Sequence, residues 1–246
     1  MFESIQSTFL KGAMAALALS LTVPDRINSA SMAHMDKSPQ GLLFYIPGYR
    51  GNGNYASSAN DAEKLGYATC QASVAQDGTP AEFAARALAE FDACRQQHLT
   101  IPRDKVLVIC HSLGCRSAAY LAGERATAIG KIAFFGPAIY PDGTGKISAE
   151  LENPYRLAKL IQWRQKPVIC GGPERNETME SLCAFRKAGG EALVLRGGKD
   201  EHIPAQAAAD YAAAMGVKVE TISGLGHDAA RNPKVIGRIW QWAQPR

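Results

Sequence analysis

The feature that most limits how this chain can fold is an alternation, from residue 41 onward, of short apolar runs with helix-length segments. Most of the apolar runs are continuous, which is typical of strands covered on both faces. Seven stretches fit this description: LLFYIP (42–47), YATCQASV (67–74), VLVIC (106–110), IAFFG (132–136), PVIC (167–170), ALVLR (192–196) and VKVETI (217–222).

Segments with apolar residues at helical spacing separate these runs. We predict helices over 80–97, 112–126, 147–163, 177–189, 204–216 and 233–243. Strand, helix and strand in repeated succession predict an α/β fold, with a mostly parallel sheet and helices on both of its faces. Ligands in such sheets bind at the carboxyl ends of the strands, so chemically active side chains are expected there.

Length and composition divide the chain into a leading segment, residues 1–40, and one folded domain, residues 41–246. Hydrophobic residues make up 46% of the chain and charged residues 20%, enough apolar material for a sizeable core. The net charge is +4, but there is no basic run and no basic stripe interleaved with aromatics. Nucleic acid is therefore not an expected partner.

The leading segment contains an apolar run, GAMAALALSLTV at 12–23, followed by small residues at 31–33. The run is shorter than the roughly 20 residues of a membrane-spanning helix, so we expect no stable membrane span. Two interpretations remain open. Residues 12–33 are a signal that directs export to the periplasm or the medium, or they form a loosely packed helix of a cytoplasmic protein.

The cysteines and histidines show neither a disulfide framework nor the spacing of a metal site. We interpret the cysteines as buried free thiols, with pairing left open: Cys70, Cys94, Cys110, Cys115, Cys170 and Cys183. The five histidines are His34, His98, His111, His202 and His227. No metal and no cofactor are expected.

One apolar run ends in a histidine and a serine, in the stretch VLVICHSLGC at 106–115. With a helix predicted next, this stretch resembles the nucleophile elbow of the alpha/beta-hydrolase family, whose pattern is Gly-x-Ser-x-Gly. Ser112 takes the place of the nucleophile, Gly114 that of the second glycine, and Cys110 replaces the first. His111, the residue before the nucleophile, normally points away from it in this family. The alternative is that Ser112 only caps the following helix.

The resemblance extends downstream, because the family places an acid and then a histidine after its serine. Asp200 follows the run ALVLR, and His227 follows VKVETI. The family pattern implies that His227 activates Ser112 and that Asp200 orients His227.

Two residues are alternatives for these roles. The family usually has six strands where seven are predicted here, and the run PVIC at 167–170 resembles a second copy of the strand that carries the acid. Glu174, in KPVICGGPER at 166–175, follows this run and is the reserve acid. His202 could line the pocket or replace the base, although the motif favours His227.

The family also implies two backbone N–H groups that bind the oxyanion of the tetrahedral intermediate. One is that of Leu113, directly after the serine. The other comes from the loop after the first strand, IPGYRGNGNY at 46–55, where Tyr49 has the matching position. The stretch 137–165 occupies the place of the family's cap and is short, which predicts a small or absent cap.

The resemblance covers about residues 41–244 and implies a serine hydrolase that cleaves an ester or thioester of a small acyl substrate. Two alternatives remain. The same residues could transfer the acyl group to an acceptor other than water, or the fold could bind a ligand or partner without catalysis. Fold and triad are shared by many chemistries, so the acyl chain and leaving group are not predicted.

Overall fold

The structure is a computed structural model that describes residues 38–48, 51, 56–73, 78–138, 170 and 177–244. The possible signal at 12–33 and the helix predicted at 147–163 lie outside the described residues, as does nearly all of the short cap segment. These three remain predictions. None of the helices that the structure describes combines the length and the apolar character that a membrane span requires.

The described strands form one six-stranded sheet in which every neighbouring pair is parallel, so the predicted α/β fold is confirmed. The strands are β1 (Gly41–Ile46), β2 (Tyr67–Gln71), β3 (Val106–His111), β4 (Lys131–Phe135), β5 (Glu191–Gly197) and β6 (Val219–Ile222). Their order is β2-β1-β3-β4-β5-β6. The direction of winding reverses between β1 and β3, and crevices at such switch points are the usual ligand sites of open α/β sheets.

The described residues contain six α-helices. They are α1 (Ala56–Lys64), α2 (Pro80–Gln97), α3 (Gly114–Glu124), α4 (Glu177–Lys187), α5 (Ala205–Met215) and α6 (Pro233–Ala243). The bounds of α2 and α6 match the prediction. Thr79 and Glu82 form a capping box at the start of α2, and Pro80 takes its first turn, where no backbone N–H is needed.

The strand side chains alternate between two separate cores, one on each face of the sheet. In β3, Val108 and Cys110 face the core shared with α2, α3, α4 and α5. Leu107 and Ile109 face the core shared with α1 and α6. Because helices cover both faces, both sets of side chains are buried, which explains the continuous apolar runs in the sequence.

One described helix was not predicted, and one predicted strand lies almost wholly outside the described residues. Helix α1 was not predicted, because its sequence ASSANDAEK is polar and only small residues such as Ala59 and Ala62 contact the core. The seventh predicted strand, 167–170, lies outside the described residues except for Cys170, which is in a turn.

The interpretation of all six cysteines as free thiols was wrong for four of them. A disulfide joins Cys70 of β2 to Cys94 of α2, and a second joins Cys170 to Cys183 of α4. The partners are brought together by packing of a strand or turn against a helix, which sequence spacing does not reveal. The two remaining cysteines are free and buried, as expected: Cys110 and Cys115.

Candidate active site

The turn between β3 and α3 holds Ser112 in a strained backbone conformation. Its φ of 52° is the only positive value at a non-glycine residue in the described part of the chain. Such strain persists only where the surroundings impose it. Here the N–H of Ser112 donates to the carbonyl of Phe135 at 3.1 Å, and the N–H of Ala138 donates to the carbonyl of Ser112 at 3.2 Å. Residues at the end of β4 therefore fix the turn that presents the serine.

The residues two positions before and after the serine are small, and the end of β1 packs closely against the second of them. A Cβ added to Gly114 would collide with the carbonyl oxygens of Ile46 and Pro47. Cys110, which replaces the first glycine of the family pattern, is fully buried, and its Sγ donates to the carbonyl of Ala133 at 3.5 Å. The thiol thus fits between the strands, so this departure from the pattern leaves the turn intact.

Asp200 is fixed in a turn directly after β5. Its Oδ1 accepts hydrogen bonds from the backbone N–H groups of His202 and Ile203, both at 3.0 Å. Its Oδ2 lies 2.9 Å from Nδ1 of His227. Burial is the largest single influence on the pKa of Asp200 and raises it, but the hydrogen bonds from His227, Ile203 and His202 outweigh burial and hold the pKa below its ordinary value. The carboxylate is therefore ionised at neutral pH.

The loop after β6 brings His227 between Asp200 and Ser112. The Nε2 atom of His227 lies 2.9 Å from Oγ of Ser112. A carboxylate at Nδ1 requires a proton on that nitrogen, which leaves the lone pair of Nε2 free to accept from the serine hydroxyl. The structure therefore joins the three side chains that the sequence pattern paired, in the order acid, imidazole and hydroxyl.

A glycine that the sequence analysis did not single out lies against this acid–base pair. Gly136 follows β4 with a φ of 52°. A Cβ built on it would lie 3.1 Å from Nδ1 of His227 and 3.3 Å from Oδ2 of Asp200. Its sequence signal is weak, a glycine at the end of the strand next to the nucleophile strand.

Two further histidines surround the His227 ring. His202 lies on the exposed side, and the centroids of the His202 and His227 rings are 5.5 Å apart. The serine hydroxyl contacts Nε2 of His227. His111 lies on the buried side, with centroids 4.9 Å apart, and its Nε2 is 2.9 Å from the carbonyl oxygen of His227. The position of His111 before the serine in sequence gave no sign of this contact.

One of the two predicted oxyanion donors lies in the described residues. The N–H of Leu113 has no acceptor among them, as is common in the first turn of a helix. The loop after β1 lies against the serine, because a Cβ on Gly48 would be 3.0 Å from Cβ of Ser112. Tyr49, the predicted second donor, lies outside the described residues, and so does the reserve acid Glu174. Both assignments remain predictions.

The described residues also contain no group of three or more His, Cys, Asp or Glu side chains placed to hold a metal ion. The donors and acceptors of the site are instead one carboxylate, one imidazole and one hydroxyl in a line. Such an arrangement can move a proton from the hydroxyl to the imidazole.

Several solved structures have a similar fold at low sequence identity. Est1E from Butyrivibrio proteoclasticus gives a TM-score of 0.60 at 15% identity, over 85% of this chain and 90% of that one. A carboxylesterase of the thaumarchaeon Nitrososphaera gargenis gives 0.58 at 12% identity, over 84% and 90%. A monoacylglycerol lipase from Paleococcus ferrophilus gives 0.55 at 14% identity, over 84% and 95%.

No family model and no curated protein sequence matches the chain. The structural similarity nonetheless extends over 90% to 95% of the length of each of these solved structures. At these identities, the similarity establishes the fold of the chain and not its activity.

Proposed function

The chain has the alpha/beta-hydrolase fold, and on this fold we propose that it is a serine hydrolase that cleaves an ester or thioester through an acyl-enzyme intermediate. The observation that carries the proposal is the hydrogen-bonded line of Asp200, His227 and Ser112, with both separations 2.9 Å. A serine that only capped α3 would need neither the positive φ nor the imidazole at its hydroxyl.

In the first step, Oγ of Ser112 attacks the acyl carbon while its proton passes to Nε2 of His227. The ring becomes a cation, and the ionised carboxylate of Asp200 at Nδ1 stabilises it. The hydrogen bonds that lower the pKa of Asp200 keep that carboxylate charged throughout. Asp200 therefore supplies orientation and charge and does not take the proton itself.

The attack places negative charge on the former carbonyl oxygen. In our proposal, the N–H groups of Leu113 and Tyr49 bind this oxyanion. The tetrahedral intermediate collapses when His227 returns its proton to the leaving alcohol or thiol. Water then enters, is activated by His227 in the same way, and releases the acid from Ser112.

The class of substrate is supported by the structural neighbours, among them a carboxylesterase and a monoacylglycerol lipase. Their identities to this chain are 12% and 14%, too low to transfer an acyl chain or a leaving group. We therefore propose an acyl ester or thioester as the substrate class and no narrower one.

A fluorophosphonate probe tests the proposal directly, because it labels only an activated serine. We expect wild-type protein to be labelled at Ser112 and to hydrolyse members of a panel of p-nitrophenyl and thiol esters. Ser112→Ala should lose the label, and its hydrolysis should fall by about 10^4- to 10^6-fold. Ser117→Ala is the matched control, since this buried serine of α3 lies outside the triad.

Two results would contradict the proposal. Labelling that persists in Ser112→Ala would place the nucleophile elsewhere. A folded wild-type protein with neither label nor turnover on any ester would favour a hydrolase-like fold that only binds. Product analysis with an added alcohol or amine separates hydrolysis from acyl transfer.

A further inference from the structure

We propose that His111 is a positioning residue that holds the main chain of the base His227 against the nucleophile turn. A catalytic effect of His111 depends on the proposed function, whereas its hydrogen bond to His227 is a feature of the structure. His111 directly precedes Ser112 in the chain, yet its side chain hydrogen-bonds a residue 116 positions away. It thereby ties the loop of the base to the strand that carries the nucleophile.

The ring of His111 is held on three sides. It stacks on Phe135 of β4, with centroids 5.8 Å apart and an interplanar angle of 27°. It faces the His227 ring at 4.9 Å. On the third side lies the loop after β1, where a Cβ on Gly48 would be 3.1 Å from Nδ1 of His111. A ring held in this way directs its Nε2 at one acceptor, the carbonyl of His227.

The contact fixes which nitrogen of His111 carries a proton. A carbonyl oxygen only accepts, so Nε2 must carry the proton. Burial, together with the nearby His227, lowers the pKa of His111 to about 4, although the bond to the His227 carbonyl and the carboxylates of Asp228 and Asp200 act in the opposite direction. At neutral pH, His111 is therefore an uncharged donor. A charged donor at this distance would oppose the imidazolium that His227 must form.

The bond from His111 to the His227 carbonyl matters because hydrogen bonds to the side chain of His227 do not by themselves fix the backbone of its loop. Asp200 holds Nδ1 of His227, and Ser112 meets Nε2. Both bonds can be kept while the loop backbone shifts and the ring tilts. The bond from His111 to the carbonyl removes that freedom, because its own backbone is continuous with Ser112. His111, Ser112 and His227 are then joined in a closed ring by the peptide bond and two hydrogen bonds, and this ring sets the distance from Oγ of Ser112 to Nε2 of His227.

The test removes the donor and then restores it. His111→Phe keeps an aromatic ring against Phe135 but cannot donate, and His111→Gln places an amide N–H near the position of Nε2. We expect kcat for His111→Phe to fall by about 10- to 100-fold with KM little changed, as for a small misplacement of a catalytic group. His111→Gln should recover most of the loss. His98→Phe, at the distant end of α2, is the matched control.

A second readout reports the position of His227 without any substrate. The Nδ1 proton shared by His227 and Asp200 gives a low-field NMR signal. We expect the signal to broaden or shift in His111→Phe and to return in His111→Gln. Because a packing mutation elsewhere would not move this proton, the signal separates positioning from general destabilisation. If His111→Phe does not fold, His111→Asn, whose shorter amide does not reach the carbonyl, replaces it.

The outcomes separate the two proposals. A donor-free variant with wild-type kcat and an unchanged low-field signal overturns the positioning role, even when the probe labels Ser112. Equal losses in His111→Phe and His111→Gln, with an unchanged signal in both, overturn it as well. A signal that moves in His111→Phe and returns in His111→Gln supports it. Should the wild-type protein then show no labelling and no turnover, the proposed function fails while the contact stands.

Discussion

Replacing Gly136 by alanine should damage the acid–base pair while leaving the protein folded. The added methyl would lie 3.1 Å from Nδ1 of His227 and 3.3 Å from Oδ2 of Asp200. Both separations are shorter than ordinary contacts of carbon with nitrogen or oxygen. The two side chains must therefore move apart from the methyl by a few tenths of an ångström. They are the two ends of one 2.9 Å hydrogen bond, so that bond takes up the change.

The expected loss is smaller than that of removing the acid altogether. Complete loss of the acid's function costs on the order of 10^4 in turnover in a serine protease with a Ser-His-Asp triad. A displacement of a fraction of an ångström costs less, and we expect about 10- to 100-fold in kcat, or about 1.4 to 2.7 kcal/mol of activation free energy. The backbone contributes a separate effect. An alanine at a φ of 52° destabilises the fold by about 1 kcal/mol relative to glycine.

The assay measures kcat on the best ester of the panel, and the free energy of unfolding in urea. Gly189→Ala is the matched control, because Gly189 has a φ of 80° and its added Cβ would meet only a guanidinium nitrogen of Arg103 at 3.8 Å. Both variants should lose about the same stability through the backbone. Only Gly136→Ala should lose turnover. Wild-type kcat in Gly136→Ala, or an equal loss in Gly189→Ala, would refute the reasoning.

Three further predictions concern the acid, the leading segment and pH. Asp200→Asn should reduce turnover far more than Glu174→Gln, and a larger loss at Glu174 would mean that the other acid orients the base. A chain that starts at His34 should keep full esterase activity, and aggregation of this shortened chain would show instead that the segment packs on the domain. If the segment directs export, the intact mass of full-length protein from its native host should show removal of about 30 residues. Stability should fall as pH is lowered from 6.5 toward 4, because the unfolded chain then binds a proton at position 111 that the folded chain, with a pKa of about 4, does not. The effect of this one group is at most about 3 kcal/mol, and urea unfolding at both pH values should show a smaller decrease for His111→Gln; parallel curves would contradict it.

The strands and most helices of this fold were predictable because burial on both faces leaves a strong pattern. The run VLVIC at 106–110 corresponds to β3, which ends one residue later at His111. Helix α1 was missed because its contacts with the core are made by alanines in a polar segment, which carry little periodic signal.

The sequence likewise predicted some residues of the candidate site and missed others. The proximity of Ser112, Asp200 and His227 was predictable because each follows a recognisable strand, and the carboxyl ends of parallel strands share one edge. Gly136 and His111 were not found, because their significance lies in contacts to His227 that only the assembled sheet creates. The disulfide pairs were missed for the same reason, since packing and not spacing selects the partners.

The two disulfides have a consequence for the order in which the chain assembles. They close loops with sequence separations of 24 and 13, each worth about 3 kcal/mol in the chain-entropy model. Their sum is comparable with the 5 to 15 kcal/mol that stabilises a typical domain. Strong reduction should therefore bring the protein close to unfolding.

Two thiols must also escape oxidation while the other four pair. Cys110 and Cys115 lie on either side of Ser112, and both are completely buried. If oxidation preceded collapse, these thiols would compete for the same partners and trap mispaired chains. A route that packs β3 and α3 before the disulfides close would keep both thiols away from the oxidant. On such a route, the nucleophile turn belongs to the part of the molecule that is packed before oxidation.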